Sequence, residues 1–149
     1  MPTIGDAIKL AVDAHERQID KGGQPYILHP LRLMLAVNSE PARIVALLHD
    51  VIEDNPTFTL EKLRLAGYPQ DVLDALDCLT KRPSEHYSDF IDRIKPNVLA
   101  RKVKLADLRD NMDVTRLPKV TSDDLERLQR YRDAWPTLTA PVSWSILNI

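Results

Sequence analysis

A few ionisable side chains sit where this sequence would otherwise place core. In "RIVALLHDVIED", residues 43–54, every position from Ile44 to Ile52 is apolar except His49 and Asp50, and the run closes on Glu53 and Asp54. A helix that is apolar all round belongs inside a domain, and a buried charge needs a partner. On one continuous helix Asp50, Glu53 and Asp54 share a face at i, i+3 and i+4, with His49 about 100° round from Asp50. A second polar stripe, Ala100, Lys104, Asp107 and Asn111, runs through the apolar background of "KVKLADLRDNM" and the residues before it. A divalent cation between the two helices accounts for both, taking a nitrogen from His49 and oxygens from Asp50 and Asp107. His29, just after the tight "GGQPYI" loop, stands where it can complete the shell. Imidazole plus carboxylate without thiolate suits such a divalent ion and leaves positions open for water and substrate.

The elements that must hold these groups read as helical almost throughout. "TIGDAIKLAVDAHERQID" opens with Thr3 and Asp6 at capping-box spacing, then lines up Ile4, Ile8, Ala11, Val12, His15 and Ile19 at helical period. Pro30 starts a second helix running to about Asn38, and Pro41 opens the third, which is expected to continue to Asp54. "TLEKLRLAG" is short, with Thr59 as its cap and Gly67 past its end. "PQDVLDALDCLT" and "SEHYSDFIDRI" add two more, the latter ending before Pro96, and "NVLARKVKLADLRDNM" is long. "SDDLERLQRYRDAW" is amphipathic and is expected to stop at Pro136. The tail beyond it carries Trp144, Ile146, Leu147 and Ile149, apolar groups able to dock against the body. No run alternates at strand period, so the fold class is all-α, a single-domain helical bundle over 1–149.

Composition narrows the function. The 149 residues suffice for one domain, and 20 basic against 22 acidic residues leave no excess of sign for a nucleic acid or a membrane surface. One cysteine, Cys78, excludes an internal disulfide, and the chain shows neither a signal peptide nor a span-length apolar run. The expectation is a cytoplasmic protein with a small-molecule partner, its oligomeric state open.

"AHERQIDKGGQPYILHP", "ALLHDVIEDN" and "VKLADLRDNM" resemble, in order, the three signature segments of RelA/SpoT-type alarmone hydrolase domains, a branch of the HD phosphohydrolases. The resemblance covers about 7–117 and leaves a C-terminal helix and tail over 121–149. It implies one Mn²⁺ held by His29, His49, Asp50 and Asp107. It places Glu53 and Asp54 as the pair that orients and activates water, and Asn111 against the nucleotide. It further implies a small stand-alone alarmone hydrolase that removes 3′-pyrophosphate from (p)ppGpp-like nucleotides. Lys21 and Lys104 are the cations best placed for such an anionic substrate, with Arg32, Lys102, Arg109 and Arg116 also available.

One position departs from the resemblance. Asp20 stands where that family usually carries an arginine that packs on the base. An aspartate there leaves the metal chemistry intact and opens the substrate to an adenine alarmone, NADPH or another phosphorylated nucleotide. A catalytically silent nucleotide-binding module is the reading from a different class. Blander roles exist for single residues: a helix cap for His29, a hydrogen-bonded pair for His49 and Asp50, and an i,i+3 ion pair for Lys104 and Asp107. A solvated helix end for Glu53 and Asp54 is opposed by the helix macrodipole. His15 reads as a core histidine, His86 as an exposed helix start and Cys78 as core, while Tyr26 carries no evident chemistry.

Overall fold

Hydroxyl and amide caps set where the helices of this protein begin. In a computed structural model that describes residues 1–141, Thr3 and Asp6 close a capping box at the start of α1 (Ile4–Ala14). Ser39 caps α3 (Glu40–Leu48), Thr59 caps α5 (Leu60–Leu65), Asn97 caps α8 (Val98–Asn111) and Thr121 caps α9 (Ser122–Thr139). Each side-chain oxygen accepts an otherwise orphaned backbone N–H of the first turn. The remaining helices are α2 (Leu28–Ala36), α4 (Val51–Asp54), α6 (Gln70–Leu79) and α7 (Tyr87–Ile94), with a 3₁₀ turn over Val114–Arg116. Among the described residues the only β pairing is an isolated bridge between Ile19 and Pro25, so the fold is the all-α helical bundle expected for the HD type. No described helix is long and apolar enough to cross a membrane.

The core forms around α3. Ala42, Ile44, Val45, Ala46, Leu47 and Leu48 are all buried, and α1, α2, α6 and α8 pack on this one helix from different sides. That explains the unbroken apolar run: every face of α3 meets protein. α8 lies against α2, α3 and α6 and is covered outside by α7 and α9. Val103 and Leu108 face the core from it, and so does Asp107. His49 at the end of α3 and Asp107 on α8 are therefore both buried among packed helices.

Several expected boundaries moved. α1 ends at Ala14 instead of running to Ile19: His15 caps it, Arg17 takes a left-handed φ of 66°, and Asn55 Nδ2 donates to the Ala14 carbonyl at 3.1 Å. Ile19, beyond the helix end, is exposed, and Val12, still within α1, is exposed as well. α2 starts at Leu28, with Pro30 inside the first turn, where its missing N–H costs nothing. The third helix breaks at His49–Asp50, where Asp50 has φ −100° and ψ −5°, and α4 follows as a separate turn. α9 passes through Pro136 to Thr139, because Leu138 is buried beyond it and Thr139 Oγ1 bonds back to the Trp135 carbonyl at 2.9 Å. Cys78 is half-buried at the core margin. The docking expected of Trp144, Ile146, Leu147 and Ile149 lies outside the described residues.

Candidate metal centre

The helix break at His49–Asp50 turns both side chains toward α8 and α2. His29 Nε2, His49 Nε2 and an Asp50 oxygen all lie within 4.8 Å of one another. Asp107 meets them from α8, its Oδ1 at 3.1 Å from His29 Nε2 and 3.8 Å from His49 Nε2. The Asp50 carboxylate is 2.9 Å from His49 Nε2 and 3.9 Å from His29 Nε2.

Hydrogen bonds on the far side of each ring identify which nitrogen faces the cluster. His49 Nδ1 lies 2.7 Å from the Ala46 carbonyl, which can only accept, so Nδ1 carries the proton. His29 Nδ1 lies 2.6 Å from Asp110 Oδ2 and donates there by the same logic. In the neutral rings both Nε2 lone pairs then point at carboxylate oxygens, which also offer only lone pairs. His49 Nε2 is buried and has no hydrogen-bond partner. Such a point must hold positive charge, either as protons on the rings or as a cation between them. The proton affinities agree: burial works against it, yet Asp50 and Asp107 raise His49 well above the ordinary imidazole range. Asp107 and Asp110 do the same for His29 against its burial. Burial likewise opposes ionisation of Asp50, but the histidines outweigh it and bring that carboxyl down to about 2. The donor set fits a divalent cation, and the Nδ1 bonds are the outer contacts that metal-binding histidines normally have.

Asp107 is the most heavily engaged of the four. Besides the imidazoles it accepts Lys104 Nζ at 2.8 Å on Oδ2 and Asn111 Nδ2 at 2.8 Å on Oδ1. Burial would raise its pKa, but Lys104 and the histidines hold it well below the carboxylate range. Lys104 thus stands in the ion pair that its i,i+3 spacing allowed, with Nζ also 5.2 Å from the Phe90 ring centre. Glu53 Oε1 accepts the Lys81 backbone N–H at 2.6 Å, and burial pushes its pKa up despite that bond. Asp54 Oδ2 accepts Gln18 Nε2 at 2.9 Å, and Gln18 Oε1 is held by the buried His15 Nδ1 at 2.8 Å.

A cavity of about 300 Å³ opens beside His29. Lys21, Arg32, Asn111, Arg116, Arg127 and Tyr131 line it, bringing together the loop after α1, α2, α8 and α9. Asp20 lines it too, but its Oδ1 accepts the Gln24 N–H at 2.9 Å and closes the glycine loop. A Cβ on Gly22 would come within 2.9 Å of the Arg116 carbonyl, so a glycine there lets the loop seat against the 3₁₀ turn. Two contacts escaped sequence reasoning. Tyr26 Oη donates to Asp50 Oδ2, and Asp110 gathers His29, Arg32 and Arg116. For Asp110 the signal was present, one turn after Asp107 on the same helix; for Tyr26 there was none.

No family model matches the chain. It is 32% identical over 117 residues to the guanosine-3′,5′-bis(diphosphate) 3′-pyrophosphohydrolase of Haemophilus influenzae, covering 69% of this chain and 17% of that protein. It is 31% identical over 122 residues to the bifunctional (p)ppGpp synthase/hydrolase SpoT of Escherichia coli K12, covering 73% of this chain and 17% of that protein. It is 28% identical over 142 residues to the Borreliella burgdorferi guanosine-3′,5′-bis(diphosphate) 3′-pyrophosphohydrolase, covering 84% of this chain and 21% of that one. The chain thus spans about a fifth or less of the length of these relatives. A similarity running along most of the chain, on an all-helical frame that turns two histidines and an aspartate onto one point, places this chain with the RelA/SpoT hydrolase-type domains.

Proposed function

We propose that this chain is a metal-dependent phosphohydrolase that removes the 3′-pyrophosphate from guanosine alarmones of the (p)ppGpp kind, with Mn²⁺ held by His29, His49, Asp50 and Asp107. The observation that carries the reading is the pair of buried imidazole Nε2 atoms facing two carboxylates, an arrangement that calls for positive charge and that a divalent cation satisfies. The names of the relatives support the substrate. An ion held by these four residues would supply a Lewis acid for a phosphoryl oxygen and would acidify water. The residues of the chain do the rest. Glu53, with its pKa raised by burial, accepts a proton from the attacking water, and Asp54, fixed by Gln18, orients it. The water oxygen bonds to phosphorus, the bond from phosphorus to the 3′ oxygen breaks, and that oxygen takes up a proton as pyrophosphate leaves. Lys21, Arg32 and Asn111 line the cavity in which the anionic substrate would sit.

The test is a Mn²⁺-supplemented assay of nucleotides bearing 3′-pyrophosphate, 3′-phosphate or only 5′-phosphates, reading pyrophosphate against orthophosphate. Pyrophosphate released from the 3′-pyrophosphate nucleotides alone is the expected result. Orthophosphate from NADPH or a 5′-nucleotide would assign the site to another nucleotide, a reading favoured by Asp20 at the cavity wall. Binding without turnover of any of them would make the domain a silent nucleotide-binding module.

A further inference from the structure

Asp110 is the least explained carboxylate near the cluster. It offers no atom to the point where His29, His49 and Asp50 converge, yet it is nearly enclosed, with its side chain 12% exposed. Three groups from two segments end on it. His29 Nδ1 approaches Oδ2 at 2.6 Å, Arg32 makes a two-pronged contact at 2.8 and 3.0 Å, and Arg116 Nη2 reaches Oδ2 at 3.3 Å. Arg116 also donates to the Asp110 carbonyl at 2.8 Å, which ties the 3₁₀ turn to the end of α8. His29 and Arg32 lie one turn apart on α2, so a single carboxylate on α8 holds both side chains of that helix that face the cavity.

A histidine side chain has two soft torsions and two tautomers, and α2 fixes neither. His29 has no bond to its own helix, whereas His49 uses the Ala46 carbonyl one turn back on α3. Its ring direction therefore depends on a partner from another helix. We infer that Asp110 is the positioning residue for His29: it fixes the Nδ1–H tautomer, aims Nε2 at the cluster and, through Arg32 and Arg116, joins that aim to the wall of the substrate cavity. This rests on the reading of the cluster as a metal centre, and no reacting atom touches Asp110. Arg32 and Arg116 have a second effect. By sharing the carboxylate they keep it ionised and in place, so the contact with His29 does not depend on a single hydrogen bond.

Titration of Mn²⁺ into the metal-free full chain, followed by calorimetry and by the paramagnetic signal of the free ion, measures the consequence. Asp110→Ala should weaken Mn²⁺ binding by about 10–100-fold, the usual cost of removing a partner of a metal-binding histidine. Loss of charge alone is controlled by Asp113→Asn, which removes a carboxylate from the same cavity that touches Arg116 and Thr115 but no histidine. That variant should lose no more than about threefold, the scale of a screened charge at this distance. In long-range ¹H–¹⁵N spectra of the metal-free protein, recorded at a pH high enough for the ring to be neutral, His29 should appear as the Nδ1–H tautomer in the parent. It should become a mixture in Asp110→Ala, a change that general loosening of the fold would not confine to one ring. Parent-like Mn²⁺ affinity and tautomer in Asp110→Ala overturn the inference while leaving the metal centre standing. An equal loss in Asp113→Asn also overturns it, assigning the effect to net charge. A parent protein that binds no Mn²⁺ overturns the metal reading itself, and this role of Asp110 with it.

Discussion

At the scale of single residues, Glu53 and Asp54 differ from the four residues around the cluster in what they touch. Their carboxylates are held by Lys81 N–H and by Gln18, and neither joins the convergent set. Glu53→Gln and Asp54→Asn should therefore leave Mn²⁺ affinity near that of the parent. Each should lower kcat by about 100-fold or more, the loss expected when an acid–base or water-orienting group is removed. Calorimetric Mn²⁺ titration beside single-turnover kinetics separates the two outcomes. Unchanged turnover would return the pair to a structural role. Lys104 makes the opposite case. It is expected beside the substrate, and in the structure its Nζ is buried in an ion pair with Asp107 over Phe90.

At the scale of elements, the loop between α6 and α7 depends on Arg93. From α7 its guanidinium reaches the Asp77, Cys78 and Thr80 carbonyls at 3.0–3.2 Å and grips Glu85 through both carboxylate oxygens at 2.9 and 3.0 Å. The same loop supplies the Lys81 N–H that holds Glu53. Arg93→Ala takes the side-chain donor from the Cys78 carbonyl, leaves the Asp77 and Thr80 carbonyls and Glu85 to their remaining contacts with Arg82, and should cost about 2 kcal/mol of stability by denaturant melts. It should also lower kcat more than it raises KM, because Glu53 loses its anchor. Glu85 adds a pH dependence. The Arg93 bonds and the Arg82 N–H bring its folded pKa to about 2, below the ordinary 4.5. Between those values the unfolded chain binds more protons. The contribution is complete above 4.5 and is lost as pH falls toward about 2. Glu85→Gln should flatten the acid limb of a stability–pH curve and leave its neutral region lower.

At the scale of the whole molecule, the candidate centre ties α2, α3, α4 and α8 together at one point. Without a cation, the carboxylates of Asp50 and Asp107 meet the histidines only by protonating them, at a cost in burial that each ring shows. Mn²⁺ at about 100 times its dissociation constant should stabilise the fold by roughly 2.7 kcal/mol. For a domain of this size that raises the melting temperature by roughly 5–10 °C. Calorimetry with Mn²⁺ and then with a chelator measures it, and His29→Ala should abolish most of the shift. A melting curve indifferent to Mn²⁺ would detach the cluster from metal binding.

The sequence by itself determined the helical class, most of the caps and the identity of α3 as the central helix. Those features follow from local chemistry, such as the Thr3–Asp6 box, Thr59 before "LEKL", and the unbroken apolar run of α3. It also marked His49, Asp50 and Asp107 as charges needing partners, since a polar group on an apolar face is visible without a fold. Where α1 stops was decided by tertiary contact, because Asn55 caps it from 41 residues away. So was the passage of α9 through Pro136, which the burial of Leu138 carries. The break at His49–Asp50 belongs here too: helical spacing predicts one shared face through Asp54, whereas Tyr26, His29 and Asp107 meet Asp50 on a separate turn. Asp110 could be counted as a residue one turn from Asp107, but its partners come from α2 and the 3₁₀ turn. Periodicity reports which side of a helix is buried; which atoms meet there is decided only when the helices pack.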